Sequence, residues 1–411
     1  MIPFLPRTLP PAAAPLSPAD LLRGLATRRS LDRLESDLKT FFGVRHLFLV
    51  SSGKAALVVI LQALRTLSAR REVLIPAYTC FSVPSAIVRA GLQVALCDID
   101  ADTLDFDPRQ IGSAITEATL CVVPTHLFGR PSDVGSVAAL AAARGAFVVE
   151  DAAQAMGGQA SDGRWLGTQG DVGFFSLGRG KNITCGSGGI ILTQSDRIAA
   201  AIRSLHARLE PESAWDGLRA WFEALALLLF LHPTVYSIPA RLPFLRLGET
   251  RFDRDFPIKK MGGAKARLLF HWQARLQQHN EARQRAAMQM TKSLAEASIP
   301  SHERQVPFLR LPLLLSDRAA KEALCASPDG MRAGIRSMYP SAIHQVDALA
   351  DAFRGCDFPV ARRVAERLVT LPTHPYVTQN DLQIIADLVH ASSVLDPKPE
   401  RESRRPVGNV R

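Results

Sequence analysis

Residues 170–193 read GDVGFFSLGRGKNITCGSGGIILT, two apolar runs joined by a glycine-rich loop that carries a single lysine. The runs at 172–177 and 188–193 are short and rich in apolar and β-branched residues, which predicts two buried strands. Ser176 precedes Lys181 by five residues, so a tight turn could bring the hydroxyl and the ammonium into one pocket. A lysine in such a loop binds phosphate, forms a Schiff base with an aldehyde, or is simply solvated, as most lysines are.

The same strand pattern recurs through the first half of the chain and predicts an α/β fold. Further strand-like runs are EVLIP (72–76), QVALCDI (93–99), LCVVPT (120–125) and AFVVED (146–151), and stretches of helical length lie between several of them, at 54–67, 83–90 and 134–144. Apolar strands that alternate with helices are typical of a mostly parallel sheet covered on both faces.

The rest of the chain is predicted to form a smaller domain. A breaker-poor helical stretch at 261–294 precedes a strand-like piece at 306–315 and a helix at 379–391. The predicted organisation is therefore an N-terminal arm (1–33), a large domain (34–260), a connecting helix with a small C-terminal α+β domain (261–395) and a flexible tail (396–411).

Composition narrows the class of protein. The chain has 411 residues, 47% of them apolar, which is enough for a sizeable core. Its longest apolar run, ALALLLFL at 224–231, is far shorter than the roughly 20 residues that span a bilayer. With no signal-peptide pattern at the N-terminus, we expect a cytoplasmic protein. Six scattered cysteines predict neither a zinc site nor a disulfide framework, and a net charge of +10 indicates anionic partners, although no nucleic-acid motif is present.

Two further motifs fall at predicted strand ends. In VSSGKAAL (50–57) a strand runs directly into a helix start, where backbone N–H groups can bind an anion, unless Ser52 is simply the helix cap. In FVVEDAAQAMGG (147–158) Asp151 ends an apolar strand and needs a cationic partner or hydrogen-bond donors, unless it caps the next helix. The acid, the lysine and the helix start together match what pyridoxal phosphate requires: a partner for the pyridine nitrogen, an amine for the aldehyde and a phosphate site.

These motifs give the sequence a resemblance to the DegT/StrS family of sugar aminotransferases, fold type I enzymes that use pyridoxal phosphate. The likeness extends from about residue 34 to 388 and rests on five motifs, which are SSGKAAL (51–57), HLFGRPSDV (126–134), EDAAQAMGG (150–158), the opening stretch, and FPVARRVAERLVTLPTHPYVT (358–378). The resemblance implies a homodimer with its active site at the subunit interface.

The resemblance also implies a role for each matching residue. Lys181 would form the Schiff base and move protons, and Asp151 would pair with the pyridine nitrogen. Gln154 would lie near the cofactor ring and its 3-hydroxyl. The Ser176 hydroxyl, together with the backbone at Gly53 and Lys54, would hold the phosphate.

Several positions depart from the family pattern. Lys54 stands where the family has Thr or Ser, so its ammonium either strengthens phosphate binding or faces solvent. Cys80 occupies the position of an aromatic residue that stacks on the cofactor, with Tyr78 and Phe81 as alternative stacking residues. Two further departures are IKKM (258–261) in place of N-Y-R-M, which leaves Lys259 or Lys260 to reach the neighbouring subunit's cofactor, and Ser187 in place of a Glu.

The largest departure is an apolar insertion at 214–252 that contains Trp215, Trp221, Tyr236 and several arginines. Two interpretations stay open for it. The insertion is either a buried extension of a dimer interface or an amphipathic segment that lies on a membrane or binds a lipid-linked sugar. The second interpretation predicts peripheral contact with the inner face of the membrane.

The function implied by the resemblance is transfer of an amino group from an amino acid such as glutamate to a keto sugar, nucleotide-linked, in polysaccharide or surface-glycan biosynthesis. Relatives that dehydrate sugars carry His at the lysine position, and Lys181 argues against that branch. Two alternatives remain: a pyridoxal-phosphate enzyme with a non-sugar or lipid-linked acceptor, and a non-catalytic, membrane-peripheral protein of the same fold.

Overall fold

A computed structural model describes residues 6–27, 30–242, 250–294 and 306–392. The predicted tail, 396–411, lies outside the described residues, as do parts of the predicted arm and of the insertion. The predicted domain boundaries stay predictions.

A seven-stranded sheet forms the centre of the large domain. Its strands are β1 (His46–Val50), β2 (Glu72–Pro76), β3 (Gln93–Cys97), β4 (Thr119–Val122), β5 (Phe147–Asp151), β6 (Val172–Ser176) and β7 (Gly189–Thr193), in the order β1-β7-β6-β5-β4-β2-β3. The pairs from β3 to β6 are parallel, whereas β7 runs antiparallel to both β6 and β1. The predicted α/β fold with a mostly parallel sheet is confirmed.

Helices cover this sheet and build the rest of the chain. They are α1 (Pro18–Ala26), α2 (Leu31–Phe42), α3 (Gly53–Leu67), α4 (Ser82–Arg89), α5 (Ile111–Ala114), α6 (Val134–Ala143), α7 (Asp196–Arg208), α8 (Ala214–Phe230), α9 (Ser237–Ala240), α10 (Gly263–Leu268), α11 (Trp272–Ser293), α12 (Arg318–Ala326), α13 (Pro328–Arg332), α14 (Pro359–Arg367) and α15 (Gln379–Ser392). Helix α3 is apolar on nearly every side because it is enclosed by the sheet and by α4 and α7. Among the described helices none is both long enough and apolar enough to cross a membrane.

The small domain contains an antiparallel sheet of three strands. Its strands are β8 (Arg310–Leu314), β9 (Arg336–Ser337) and β10 (Leu368–Pro372), in the order β8-β10-β9. Strand β8 lies within the predicted strand-like piece, and α15 matches the helix predicted at 379–391.

One helical prediction needs correction. The stretch at 261–294 is not one helix, because α10 ends at Leu268 and α11 begins at Trp272. The Arg275 Nη2 donates to the Leu268 carbonyl at 3.1 Å, which satisfies an acceptor at the end of α10. The break redirects the chain so that Leu269 and Trp272 are both buried in the core.

Candidate active site

Lys181 lies in the loop between β6 and β7, as its motif predicts. The loop turns tightly, with the Lys181 N–H donating to the Gly178 carbonyl at 3.2 Å. Gly180 has φ +72°, and a side chain there would also meet the Ala12 Cβ at 3.2 Å, so glycine is required. The Lys181 side chain is half-buried, and no described residue forms a hydrogen bond or an ion pair with its amine.

The surroundings of Lys181 favour the neutral amine. Burial lowers the pKa of Lys181, the positive charge of Arg310 lowers it further, and Cys80 and Asp151 act in the opposite direction. A neutral, partnerless amine is what Schiff-base formation requires. The solvated-lysine alternative does not describe this side chain.

The backbone of the lysine loop is held by an arginine that sequence reasoning missed. Arg283, fully buried on α11, donates to the carbonyls of Lys181 at 3.1 Å, Asn182 at 3.2 Å and Ala13 at 2.9 Å. Burial lowers the pKa of Arg283 to about 9, so it is still charged at neutral pH. Nothing in the helical stretch around it distinguishes this arginine from its neighbours, because the contact joins residues about a hundred positions apart.

Asp151 ends β5 with its carboxylate in the interior. Its Oδ1 accepts from the Ala153 N–H at 3.0 Å, and no helix of the described chain starts there, so the capping alternative is wrong. Burial raises the pKa of Asp151, and the Ala153 N–H and the electrostatic influence of Lys181 and His126 oppose this rise only in part. A protonated pyridine nitrogen would supply the cation that this carboxylate lacks, so the site fits pyridoxal phosphate at this point.

A buried pair beside Asp151 fixes the end of β5. The His126 Nε2 lies 2.7 Å from the Glu150 Oε1, and the His126 Nδ1 accepts from the Ser132 N–H at 3.0 Å. Because Nδ1 accepts, Nε2 carries the proton and donates to the carboxylate. Burial would raise the pKa of Glu150, but His126 and the backbone amides of the 167–170 turn outweigh it and lower that pKa. The neighbouring carboxylate, Asp151, is thereby held in position.

Gln154 is oriented by two contacts. Its Nε2 donates to the Tyr339 hydroxyl at 2.9 Å, and its Oε1 accepts from the Phe128 N–H at 3.3 Å. The Tyr339 ring lies nearly parallel to that of Phe128, with centroids 6.4 Å apart. The sequence analysis missed Tyr339, which enters from the small domain.

Of the three residues considered for stacking on the cofactor, two belong to the core. Tyr78 is fully buried and its hydroxyl donates to the Met338 carbonyl, and the Phe81 ring packs on that of Tyr339 with centroids 6.3 Å apart. Cys80 is partly exposed and lies close enough to Lys181 and Tyr339 to influence their charges. Cofactor contact by Cys80 stays a prediction.

The predicted phosphate site lies where α3 begins. Ser52 caps the helix by accepting from the Ala55 N–H at 3.1 Å, which leaves the N–H groups of Gly53 and Lys54 without helical acceptors. The helix start faces Ser176 so closely that a Cβ on Gly53 would lie 2.8 Å from the Ser176 Cβ. Helix cap and anion site are therefore compatible, because the cap does not use the N–H groups of Gly53 and Lys54, and the close approach of Ser176 brings its hydroxyl to the same helix start.

The side chain of Lys54 points toward the end of the insertion. Its Nζ donates to the Asp253 Oδ2 at 3.2 Å and lies 4.2 Å from the centroid of the Phe256 ring. This geometry favours the alternative in which the ammonium faces away from the phosphate, and it leaves the Lys54 backbone as the proposed contact.

The two lysines of IKKM are both engaged within their own chain. Lys259 pairs with Asp216 at 3.0 Å, and the Lys260 Nζ donates to the Ala207 carbonyl at 3.0 Å. Ser187, which replaces the family's Glu, donates to the Ser51 carbonyl at 2.6 Å. Contact of Lys259 or Lys260 with a neighbouring subunit's cofactor stays a prediction.

We expect Gly53→Ala to weaken cofactor binding at least about tenfold, because its methyl group would collide with Ser176 and displace the hydroxyl that is proposed to hold the phosphate. Titration of the apoprotein with pyridoxal phosphate measures the effect. Gly263→Ala is the matched control, since Gly263 also opens a helix but a Cβ there meets nothing within 4 Å. Equal affinities in the two variants would contradict the placement of the phosphate.

Comparison with known proteins defines the class. A model of the DegT/DnrJ/EryC1/StrS aminotransferase family matches residues 22–218 and 258–390. The chain therefore belongs to this family, and the expected aminotransferase class, with pyridoxal phosphate as cofactor, is confirmed at the level of the family. The family pattern leaves 219–257 unmatched, which agrees with the predicted insertion.

Individual relatives can be aligned with part or most of this chain. The pleiotropic regulatory protein of Geobacillus stearothermophilus is 35% identical over 172 residues, which span 42% of this chain and 46% of that protein. The spore coat polysaccharide biosynthesis protein SpsC of Bacillus subtilis is 26% identical over 378 residues, with 87% of this chain and 88% of that protein covered. The structure of NtdA from Bacillus subtilis with bound cofactor PMP superposes with a TM-score of 0.72 at 19% identity, over 91% of this chain and 81% of that one, and so shares the fold.

Proposed function

We propose that this protein transfers an amino group from an amino acid such as glutamate to a keto sugar, nucleotide-linked, for polysaccharide or surface-glycan biosynthesis. The observation that carries the proposal is the half-buried, partnerless amine of Lys181 near Asp151. The sugar acceptor is supported by family membership and by the polysaccharide role in the name of the SpsC relative.

Each residue of the site has a role in this reaction. Pyridoxal phosphate supplies, when bound, an aldehyde that accepts the amino group and an electron-withdrawing ring. The Lys181 amine would hold the cofactor through its aldehyde between turnovers and would take a proton from the substrate carbon. The Asp151 carboxylate would keep the pyridine nitrogen protonated, and the Gln154 amide would orient the ring. The Ser176 hydroxyl and the N–H groups at the start of α3 hold the phosphate.

Separate half-reactions test the proposal. The cofactor-loaded protein should convert glutamate to 2-oxoglutarate, and the aminated cofactor should then react with a 3-keto or 4-keto nucleotide sugar to give an amino sugar detectable by mass spectrometry. Turnover of glutamate with 2-oxo acids but with no keto sugar would reject the sugar acceptor and leave a non-sugar or lipid-linked one. If the protein binds no pyridoxal phosphate, the result would favour the alternative of a non-catalytic protein with the same fold.

We also infer a homodimer and a cytoplasmic location, with membrane contact through the insertion. Helix α8 supports the contact because it presents an apolar stripe to solvent, in which Trp215 is 79% and Phe222 63% exposed. Leu218, Leu225 and Leu229 complete the stripe at spacings of three and four residues. The net charge of +10 complements an anionic lipid surface.

We expect the protein to float with anionic vesicles at low salt and to be released at high salt, because a single amphipathic helix binds weakly. A Phe222→Ser, Leu225→Ser variant should lose flotation and keep its oligomeric state. If the wild-type protein does not float with the vesicles and the variant dissociates into monomers, the stripe is a dimer interface and the membrane proposal is wrong.

A further inference from the structure

Arg310 is a buried cation that the mechanism above does not use. It opens β8, is 8% exposed, and its guanidinium has no hydrogen-bond or ion-pair partner among the residues that the structure describes. Burial lowers the pKa of Arg310 to about 10, so the group is still charged at neutral pH. A buried charge without a partner is unfavourable, and an anion bound beside it would remove that cost.

A second arginine projects from the same face of the small sheet. Arg310 is opposite Pro372 on β10, and Arg336 of β9 is opposite Thr370. Paired residues lie on one face, and positions 370 and 372 share that face because side chains alternate along a strand. The Arg336 Nη1 donates to the Ile335 carbonyl at 2.7 Å and to the Met331 carbonyl at 3.4 Å, which leaves its Nε and Nη2 groups without a partner among the described residues.

This face of the sheet adjoins the lysine site. The residue before Arg310 donates its N–H to the Phe128 carbonyl at 2.8 Å, and Phe128 in turn contacts Gln154. Tyr339, three residues after Arg336, accepts from Gln154 at 2.9 Å. The charge of Arg310 also lowers the pKa of Lys181, so the guanidinium lies within electrostatic reach of the amine.

The insertion contributes a third group. Tyr236 is 6% exposed, and the positive charges of Arg336 and Arg310 oppose the burial that raises the pKa of its phenol. This end of the insertion is fixed on the small domain, because the His232 ring lies 5.2 Å from that of Tyr376. Tyr236 lies within 219–257, the stretch that the family pattern leaves unmatched.

We propose that Arg310, Arg336 and Tyr236 form a subsite for the carboxylate of the amino-acid donor. The inference rests on the proposed function, because it presumes that Lys181 serves the reacting carbon. In an α-amino acid the carboxylate and the amino group share one carbon, so an anion site close to Lys181 suits the donor. The phosphates of a nucleotide sugar lie several bonds from the reacting carbon, and the nucleotide is too bulky for so buried a position. Guanidinium groups match a carboxylate in shape and charge.

The glutamate half-reaction of the cofactor-loaded protein tests the subsite. Arg310→Gln should raise the apparent Kd for glutamate about 10- to 100-fold, since a charge-assisted contact is lost. Tyr236→Phe should raise it a few-fold, and Arg310→Lys should restore part of the affinity. The matched control is Arg332→Gln, because Arg332 is exposed and, among the described residues, forms an ion pair only with Asp329, at 3.4 Å. Cofactor affinity and the keto-sugar half-reaction should stay unchanged in Arg310→Gln.

A second measurement does not depend on turnover. Glutarate, a dicarboxylate without an amino group, should bind the wild-type protein in a calorimeter and bind Arg310→Gln at least about tenfold more weakly. Unchanged glutamate and glutarate affinities in Arg310→Gln would overturn the subsite. A loss in Arg310→Gln that is confined to the keto-sugar half-reaction would also overturn the subsite, because the arginine would then bind an anionic group of the acceptor. A loss of cofactor affinity in this variant would overturn it as well. If the wild-type protein aminates no keto sugar, the proposed acceptor fails, and the glutarate result still decides the subsite.

Discussion

Replacing Lys181 by alanine is expected to lower amino transfer by at least about 10⁴-fold, because one side chain supplies both the covalent attachment of the cofactor and the proton transfer. The fold should remain intact, since the amine has no partner among the described residues whose loss would destabilise it. Steady-state kinetics measure the first effect, and thermal unfolding of the apoprotein measures the second.

Borohydride reduction of the loaded wild-type protein, followed by peptide mapping, should place the cofactor on Lys181. Lys39→Ala is a matched control, because Lys39 lies on α2, pairs with Glu35 of the same helix at 2.7 Å and should keep full activity. Recovery of the reduced cofactor on any other lysine would refute the assignment.

Asp151→Asn is expected to lower the rate by about 10³-fold, because an amide cannot stabilise a protonated pyridine nitrogen. The amide oxygen can still accept from the Ala153 N–H, so the local turn should persist. Near-normal turnover in this variant would remove Asp151 from the mechanism.

The same substitution should leave the apoprotein equally stable or more stable. Burial raises the pKa of Asp151 above its ordinary value of 3.8, so the folded apoprotein retains a proton that the unfolded chain has released. The protonated Asp151 carboxyl group therefore contributes fully to the stability of the folded protein below pH 3.8. This contribution is lost as the pH rises through the higher pKa that Asp151 has in the folded state. Unfolding temperatures of the two apoproteins from pH 5 to pH 8 test the sign. An apoprotein that is more stable with Asp151 than with Asn at pH 8 would contradict it.

The amino-acid sequence by itself determined the fold class and the centre of the proposed site. Alternation of apolar strands and helices is a local pattern, so it predicted the mostly parallel sheet. Asp151, Ser176 and Gly53 lie at strand ends or a helix start, Lys181 follows in the loop after β6, and the ends of neighbouring strands in such a sheet meet at one edge. Short motifs with turn glycines were therefore enough to select these residues and to suggest pyridoxal phosphate.

The tertiary structure alone decided what surrounds that centre. Arg283 reaches the lysine loop across 102 positions, and the Lys54 ammonium meets Asp253 across 199. Arg310 and Tyr236 come together from the small domain and from an insertion that the family pattern lacks. No local pattern encodes such contacts, because they depend on how separate elements pack. Likewise, the apolar spacing of α8 predicts a face, but only packing shows that this face is left exposed.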